Sequence, residues 1–216
     1  MNTLAEKFLS PDERQRITHC VQRAEKRTSG EIVPMVVSAS HDYPLAPVTG
    51  AALMALPIGV LLTRLIGNTF WIDFDRMWLF IAAFCVIFLL GHQVIKRFPA
   101  LLRLFLSERQ AEDEVQRAAT MAFFTEKLYK TKAENGILLY ISVLEQRVWV
   151  LGDRGINEKI DRQRWQDIVS LVTDGVKNKQ QCEAICAAIA RIGEILEQQF
   201  PIEPDDKNEL HNLIIR

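Results

Sequence analysis

The sequence has almost no net charge: 26 Lys and Arg stand against 27 Asp and Glu, leaving −1. A dedicated nucleic-acid binder needs clustered cations to neutralise phosphates, so the composition argues against that class. Cysteine is scarce, with 4 residues at Cys20, Cys85, Cys182 and Cys186. None forms a CxxC pair and no histidine cluster accompanies them, which argues against a zinc site. Cys182 and Cys186 lie one helical turn apart beside Ile185 and Ile189. They read as small buried hydrophobes, a usage that suits a reducing compartment. Residues 1–30 are polar and charged from Glu6 onward and lack the apolar stretch of a secretory signal. The phosphoryl-transfer motifs are missing as well: there is no P-loop, no Cys-x5-Arg loop and no Asp-x-Asp-x-Thr pattern. His19, His41, His92 and His211 are scattered, and none pairs with a nucleophile.

What is present is a sharp division of hydropathy. PLAPVTGAALMALPIGVLLT, from Pro44, and MWLFIAAFCVIFLLGHQVI, from Met77, contain no charged residue. Each approaches the ~20 residues needed to cross a bilayer core. Two such runs joined by a short polar loop predict a transmembrane helical hairpin, with spans Pro44 to Ile66 and Met77 to Lys96. Phe70, Trp71 and Phe74 in the loop suit the headgroup belt. Pro57 is expected to kink the first helix, and Gly50 and Gly59 to allow close helix contact. An antiparallel hairpin leaves both flanks on one side of the membrane. Lys96, Arg97 and Arg103 after the second helix outweigh Arg76 in the loop, although Arg64 weakens the bias. The expectation is therefore a multi-pass protein of the inner (cytoplasmic) membrane with its soluble part in the cytoplasm. His92 falls at membrane depth, where it is either proton-linked or snorkelling.

The remainder reads as one soluble domain split by the hairpin: 1–43, the hairpin at 44–97, a segment 98–106, then 107–202 and a tail 203–216. The segment FPALLRLFL (98–106) is either an interfacial helix or a linker packed on the domain. Ser10-Pro11-Asp12-Glu13 opens a helix with Ile17, Val21 and Ala24 inward. Ile32 to Ser38 reads as a strand, with Pro34 favouring an edge or early position. Ser107 to Leu128 is a helix with Ala111, Val115, Ala118, Ala122 and Phe123 inward. Ile137 to Val143 and Arg147 to Leu151 are strands so close that they must form an antiparallel hairpin. Gly152-Asp153-Arg154-Gly155 reads as a turn. Two helices follow, one carrying Trp165, Ile168, Val169, Val172 and Val176, the other from Gln181 to Gln199 with Ile185, Ile189, Ile192 and Leu196 inward. The order predicts an α/β fold, a small central sheet with helices packed on it. The insertion leaves from the first strand, which would hold the domain close to the membrane face.

At the level of motifs the chain resembles the TPM domain family, which includes thylakoid lumen phosphatase-like proteins and bacterial relatives. The matching stretches are FLSPDERQRI (8–17), TSGEI (28–32), KTKAENGILLYIS (130–142), RVWVLGDRGINEKI (147–160), Trp165 and the FP at 200–201, while 204–210 resembles the tail of one bacterial branch. The resemblance covers 8–40 and 108–210. The inserted hairpin departs from the basic soluble domain and is similar to a membrane-bound bacterial subgroup. The resemblance implies an α/β sandwich with helices on both sheet faces. It also implies one of three roles: weak acid phosphatase, binder of a divalent ion in an acidic cleft, or accessory protein of a membrane complex.

The candidate site follows from the strand hairpin. Its short turn puts the start of one strand beside the end of the other, so Glu134 and Asp153 fall at the same sheet end. Asn135, Asn157 and Asp161 lie close in sequence. Such oxygen ligands suit Ca2+ or Mg2+; the alternative is plain turn chemistry at Asn-Gly and Gly-Asp-Arg-Gly. In the relatives the position at or before Asn135 is often acidic, so the neutral Asn135 weakens the carried-over site. Lys132 and Arg154 are the cations that could face phosphate. Two functional readings remain open: a membrane-anchored accessory or scaffold module with a membrane-protein partner or a second copy of itself, and a metal-dependent phosphatase near the membrane surface.

Overall fold

The computed structural model describes residues 3–69, 76–131, 133–202 and 210–216. In chain order the elements are α1 (Leu4–Phe8), α2 (Pro11–Glu25), β1 (Glu31–Val37), α3 (Leu45–Thr69), α4 (Arg76–Arg97), α5 (Pro99–Leu104) and α6 (Glu108–Thr125). A 3-10 turn at Leu128–Lys130 leads to β2 (Gly136–Ser142) and β3 (Arg147–Gly152), then α7 (Arg154–Lys159), α8 (Arg162–Lys177), α9 (Gln181–Gln199) and β4 (Ile214–Ile215). Two compact units result: Met1–His41 with Ala111–Arg216, and Asp42–Gln110.

The first unit is built on a mixed sheet of order β3-β2-β1-β4. β1 pairs in parallel with β2 from Glu31↔Gly136 to Val37↔Ser142, and β3 runs antiparallel to β2 from Ile137↔Gly152 to Ser142↔Arg147. Pro34 survives inside the sheet for a geometric reason. The Arg216 N–H donates to the Val36 carbonyl, and the Ser38 N–H donates to the Arg216 carbonyl. Even-numbered residues of β1 therefore turn their backbone toward β4. Because β4 begins opposite Met35, the missing N–H of Pro34 costs no ladder bond. The edge or early position expected from Pro34 is not observed: β1 lies between β2 and β4 and Pro34 is at its middle, tolerated because β4 does not reach it.

Both sheet faces are covered. On one, Ile17 and Val21 of α2, Ile168 and Val172 of α8, and Ile185, Ile189, Ile192 and Leu196 of α9 pack over Ile32, Val36, Ile137, Leu139 and Ile141. On the other, Val115, Ala119, Ala122 and Phe123 of α6 cover Val33, Met35, Leu138 and Tyr140, with Trp149 and Leu151 against them. Each fully buried aliphatic side chain contributes roughly 1.5–3 kcal/mol. The α6 stripe is centred on Ala119, with Ala118 only partly buried. α2 opens with the expected cap: the Glu13 N–H donates to Ser10 Oγ, and the Ser10 N–H to the Glu13 carboxylate.

Three expectations are corrected. Gly152-Asp153-Arg154-Gly155 is not a free turn; Gly152 ends β3 and Asp153 caps α7. The tail is not wholly outside the fold, because Ile214 and Ile215 add a strand to β1. The third concerns cysteine. Cys182 is buried, as a small hydrophobe should be, but Cys186 is bonded to Cys20 in a disulfide joining α2 to α9.

In the second unit α3 and α4 form an antiparallel pair. A Cβ on Gly59 would stand 3.4 Å from the Phe80 ring and 3.7 Å from the Phe84 backbone, and one on Gly91 would stand 3.6 Å from Ala51 Cβ. Contacts that climb one helix while descending the other define the hairpin. The inner face of α3 consists of Ala51, Ala55 and Gly59 at four-residue spacing. Phe80, Phe84, Phe88 and His92 form a ladder on α4, with ring centroids 6.0 to 6.4 Å apart. Small residues on one helix admit large rings from the other. Gly50 instead meets the Phe105 ring, just beyond α5. Pro57 lies within an unbroken helix. The loop residues Phe70, Trp71 and Phe74 lie outside the described residues.

Candidate functional site

The site sits where β1 and β2 begin and β3 ends. Glu31 stands opposite Gly136 in the β1–β2 register. On the other side of Gly136, the Asp153 N–H donates to the Gly136 carbonyl at 2.9 Å. Glu31, Gly136 and Asp153 thus form one row across three strands. Side chains alternate along a strand, and Val33, Met35, Leu138, Trp149 and Leu151 pack beneath α6. The row accordingly faces the α6 side. Gly136 leaves a gap between two carboxylates, and the Leu128 carbonyl occupies it: a Cβ at Gly136 would lie 2.5 Å from that oxygen. No other residue type fits there.

Around this row the backbone is drawn tight. Glu134 is exposed and held at φ 49°, a left-handed conformation rare for a residue with a side chain. The next turn of chain presses on it, since a Cβ at Gly155 would lie 2.8 Å from the Glu134 carbonyl oxygen. Asn135 is buried, and its amide donates to the Ser29 carbonyl, tying the approach of β2 to the approach of β1. Its backbone N–H donates to Thr131 Oγ1 at 3.1 Å.

The residues singled out from sequence divide into those the fold gathers and those it employs elsewhere. Glu134 and Asp153 share the sheet end. One oxygen of Asp153 accepts from the Arg154 N–H at 2.7 Å, while Oδ2 is buried without a hydrogen-bond partner among the described residues. Asn157 lies nearby with its amide committed to the Gly152 carbonyl at 2.7 Å. Asp161 caps α8 through the Gln163 N–H; α7 separates it from Asp153 by roughly 9 Å of helical rise. Arg154 is exposed and bonded to Glu158 at 2.9 Å. That hydrogen bond, the Glu158 charge and the Glu134 charge, in that order, raise the Arg154 guanidinium above its ordinary value. Lys132 lies outside the described residues. Sequence reasoning missed Glu31, which is 5% exposed. Its only signal was the acid of TSGEI at the head of a strand, and the parallel register that brings it here has no local signature.

The donor set consists of oxygens, the chemistry preferred by Ca2+ and Mg2+. A buried carboxylate oxygen at Asp153 with no hydrogen-bond partner among the described residues fits such an ion. Among the described residues no three His, Cys, Asp or Glu side chains converge within metal-binding reach. An ion held here would take Asp153 and Glu31 with carbonyl oxygen and keep part of its water. A separate depression of about 220 Å3 lies between α8 and α9, lined by Arg164, Asp167, Arg191 and Glu194. It is smaller than the ~300–1,000 Å3 typical of small-molecule sites.

The model of the TPM domain matches residues 103–195. No curated protein matches the chain. Among solved structures, the chain is similar to the NMR structure of the BA42 protein from the psychrophilic bacterium Bizionia argentinensis. The TM-score is 0.60 at 21% identity, over 98% of this chain and 97% of that one. At that identity the likeness speaks for the fold alone. The matched segment supplies α6, β2, β3, α7, α8 and most of α9, and β1 from the N-terminal segment completes the sheet: over residues 103–195 the chain matches the TPM domain.

Proposed function

We propose that this chain is a membrane-anchored accessory module whose TPM domain binds a divalent cation at its acidic sheet end. The observation that carries the anchor is the outward surface of the hairpin. Leu45–Ile66 and Met77–Arg97 are long and apolar enough to cross a bilayer. Leu53, Leu61 and Leu65 of α3 and Val86, Leu89 and Leu90 of α4 are exposed. A contiguous apolar surface of this kind is costly in water and favourable in hydrocarbon. The excess of Lys96, Arg97 and Arg103 over the loop side supports a cytoplasmic position for the domain at the inner membrane. The bilayer is then the first partner, and a membrane protein or a second copy of the chain the next.

The cation reading is supported by the buried Asp153 oxygen in row with Glu31. The alternative, a metal-dependent phosphatase, would need a cation turned toward the phosphoryl group. Arg154, a cation the sequence offered, is engaged by Glu158, which favours the accessory reading.

Three measurements test the proposal. Full-length protein should remain with the membrane after alkaline carbonate extraction; recovery in the supernatant refutes the anchor. In detergent, Ca2+ or Mg2+ should raise the melting temperature of the wild type and have little effect on Asp153→Asn. An equal shift in both removes the cation site. Phosphate release from a generic ester that is lost in Asp153→Asn would favour the phosphatase.

A further inference from the structure

The expectation that Cys182 and Cys186 act as simple packing residues fails at Cys186, and the geometry there is specific. α2 and α9 run parallel along one sheet face. Arg16 meets Glu183 at 3.8 Å, Arg27 meets Glu197 at 3.5 Å, and a Cβ on Gly193 would come within 2.9 Å of Ala24 Cβ. Between these contacts Cys20 and Cys186 face each other with Cα atoms 5.6 Å apart, within the range that a disulfide spans. They are separated by 166 residues in sequence, so the pair exists only once the domain has folded. Both side chains are partly exposed at the helix–helix groove, and a small disulfide in solution can reach them.

We propose that Cys20 and Cys186 are a redox-responsive clasp, a dithiol in a reducing compartment and a disulfide after oxidative challenge, which locks α2 to α9. The oxidant class is a small-molecule disulfide such as glutathione disulfide. One protein thiolate attacks a sulfur of that molecule and releases one thiolate, forming a mixed disulfide. The other protein thiolate displaces the second small thiolate. Two protons leave the protein thiols, the small disulfide is reduced to two thiols, and the Cys20–Cys186 bond is formed.

The third cysteine of the domain does not compete. Cys182 is 1% exposed and lies one turn before Cys186. Burial raises its thiol above the ordinary value, with Arg16 lowering it and Glu13 and Glu183 raising it again. Little thiolate forms there, and thiolate is the attacking species. Cys85 belongs to α4, in the other unit. The site is thus selective for one pairing, and the helix it secures is the one that runs into β1 and Glu31.

The test uses full-length protein in membranes, treated with glutathione disulfide or with dithiothreitol, denatured with N-ethylmaleimide present, and digested with trypsin. Oxidised wild type should give a linked species of residues 17–23 and 180–191, with fragmentation placing the bond at Cys186. Dithiothreitol should separate the two peptides, each carrying maleimide. Cys182→Ser and Cys85→Ser should leave the linked species intact. Full labelling of Cys20 and Cys186 in the oxidised sample overturns the proposal. So does linkage of Cys20 to Cys182, or oxidation products that dithiothreitol does not reverse. The wild-type digest decides the pairing even where a Cys20→Ser variant fails to fold.

Discussion

Glu145, in the turn between β2 and β3, should be among the costliest residues to remove although it touches no proposed ligand. Its side chain is 8% exposed. One carboxylate oxygen accepts from the Ser40 N–H at 2.8 Å, and the other accepts a short hydrogen bond from Ser142 Oγ. Ser40 Oγ in turn lies 3.2 Å from the Tyr140 hydroxyl. Hydrogen bonds to a charged group contribute about 1.5–3 kcal/mol each. Glu145→Ala removes two and leaves a backbone N–H and a hydroxyl without their acceptor, so the expected loss is about 3–5 kcal/mol. Glu145→Gln keeps the shape and the acceptor for Ser40, and should cost about 1 kcal/mol. Urea unfolding in detergent, followed by the fluorescence of Trp149 and Trp165, measures both. A Glu145→Ala loss below about 0.5 kcal/mol, or equal losses in the two variants, refutes the account. Tyr140 supplies a second readout. Burial raises its hydroxyl above the ordinary value, the Ser40 bond lowers it, and the Glu145 charge raises it further. The folded state therefore holds this proton more tightly than the unfolded state. Its contribution is complete below ~10 and is lost as pH rises through the higher folded value. Glu145→Gln should move Tyr140 phenolate formation to lower pH and reduce the alkaline loss of stability. An unchanged absorbance titration contradicts that sign.

Gly155→Ala should destabilise the domain by about 1–3 kcal/mol, because the new methyl meets the Glu134 carbonyl at 2.8 Å and the Ala133 carbonyl at 3.3 Å, both backbone; chemical denaturation checks it. In the hairpin, Ala51→Cys with Gly91→Cys should crosslink readily on a gel, since the Cβ atoms would stand 3.6 Å apart, within the ~3.5–4.5 Å a disulfide needs. Adding Gly59→Leu, which drives a side chain into the Phe80 ring, should reduce that crosslink. Opening the Cys20–Cys186 bond should lower stability by up to ~4–5 kcal/mol, the chain-entropy value for a loop of roughly 100 residues when the hairpin holds its own ends together. A melt with and without reductant tests this.

How much of this was legible in the residues depended on the range of the signal. α9 was readable to its ends, Gln181–Gln199, because Ile185, Ile189, Ile192 and Leu196 repeat at helical spacing and Phe200-Pro201 stops the chain. The β2–β3 pairing was readable because so short a connection, four residues between Ser142 and Arg147, favours an antiparallel hairpin. Asp153 was correctly located at the sheet end but misjudged in kind. Asp-Arg-Gly is turn chemistry and helix-cap chemistry at once, and only the helix that follows separates them. Glu31 and the Cys20–Cys186 pair were not readable. The first depends on the register of a parallel strand more than a hundred residues away, the second on two helices lying parallel across a separation of 166. Neither condition leaves a mark within any short window. Ile214-Ile215 is too short to show a strand period; its partner strand decides it.

The sheet also constrains the membrane reading in a way that hydropathy does not. β1 precedes the hairpin and β2 follows it, yet they are paired residue for residue over seven positions. Such a ladder forms only when both strands occupy the same aqueous compartment. The chain must therefore cross the bilayer an even number of times between Val37 and Gly136. Leu45–Ile66 and Met77–Arg97 span together or not at all, and a single-span topology is incompatible with the fold. The place of insertion has the same logic. Parallel neighbours need a crossover of a dozen or more residues in any case, and α6 packed on one sheet face is that crossover. An antiparallel pair of helices added ahead of α6 lengthens an existing connection and returns the chain to the side it left. Loop-closure entropy grows only with the logarithm of length, about 0.6 kcal/mol per doubling, so the sheet tolerates the insertion. Replacing α4 with a soluble polar linker while keeping α3 should strand β1 and β2 on opposite faces of the membrane and abolish folding of the domain. Deleting both helices should preserve it. A folded domain in the first case would break the argument.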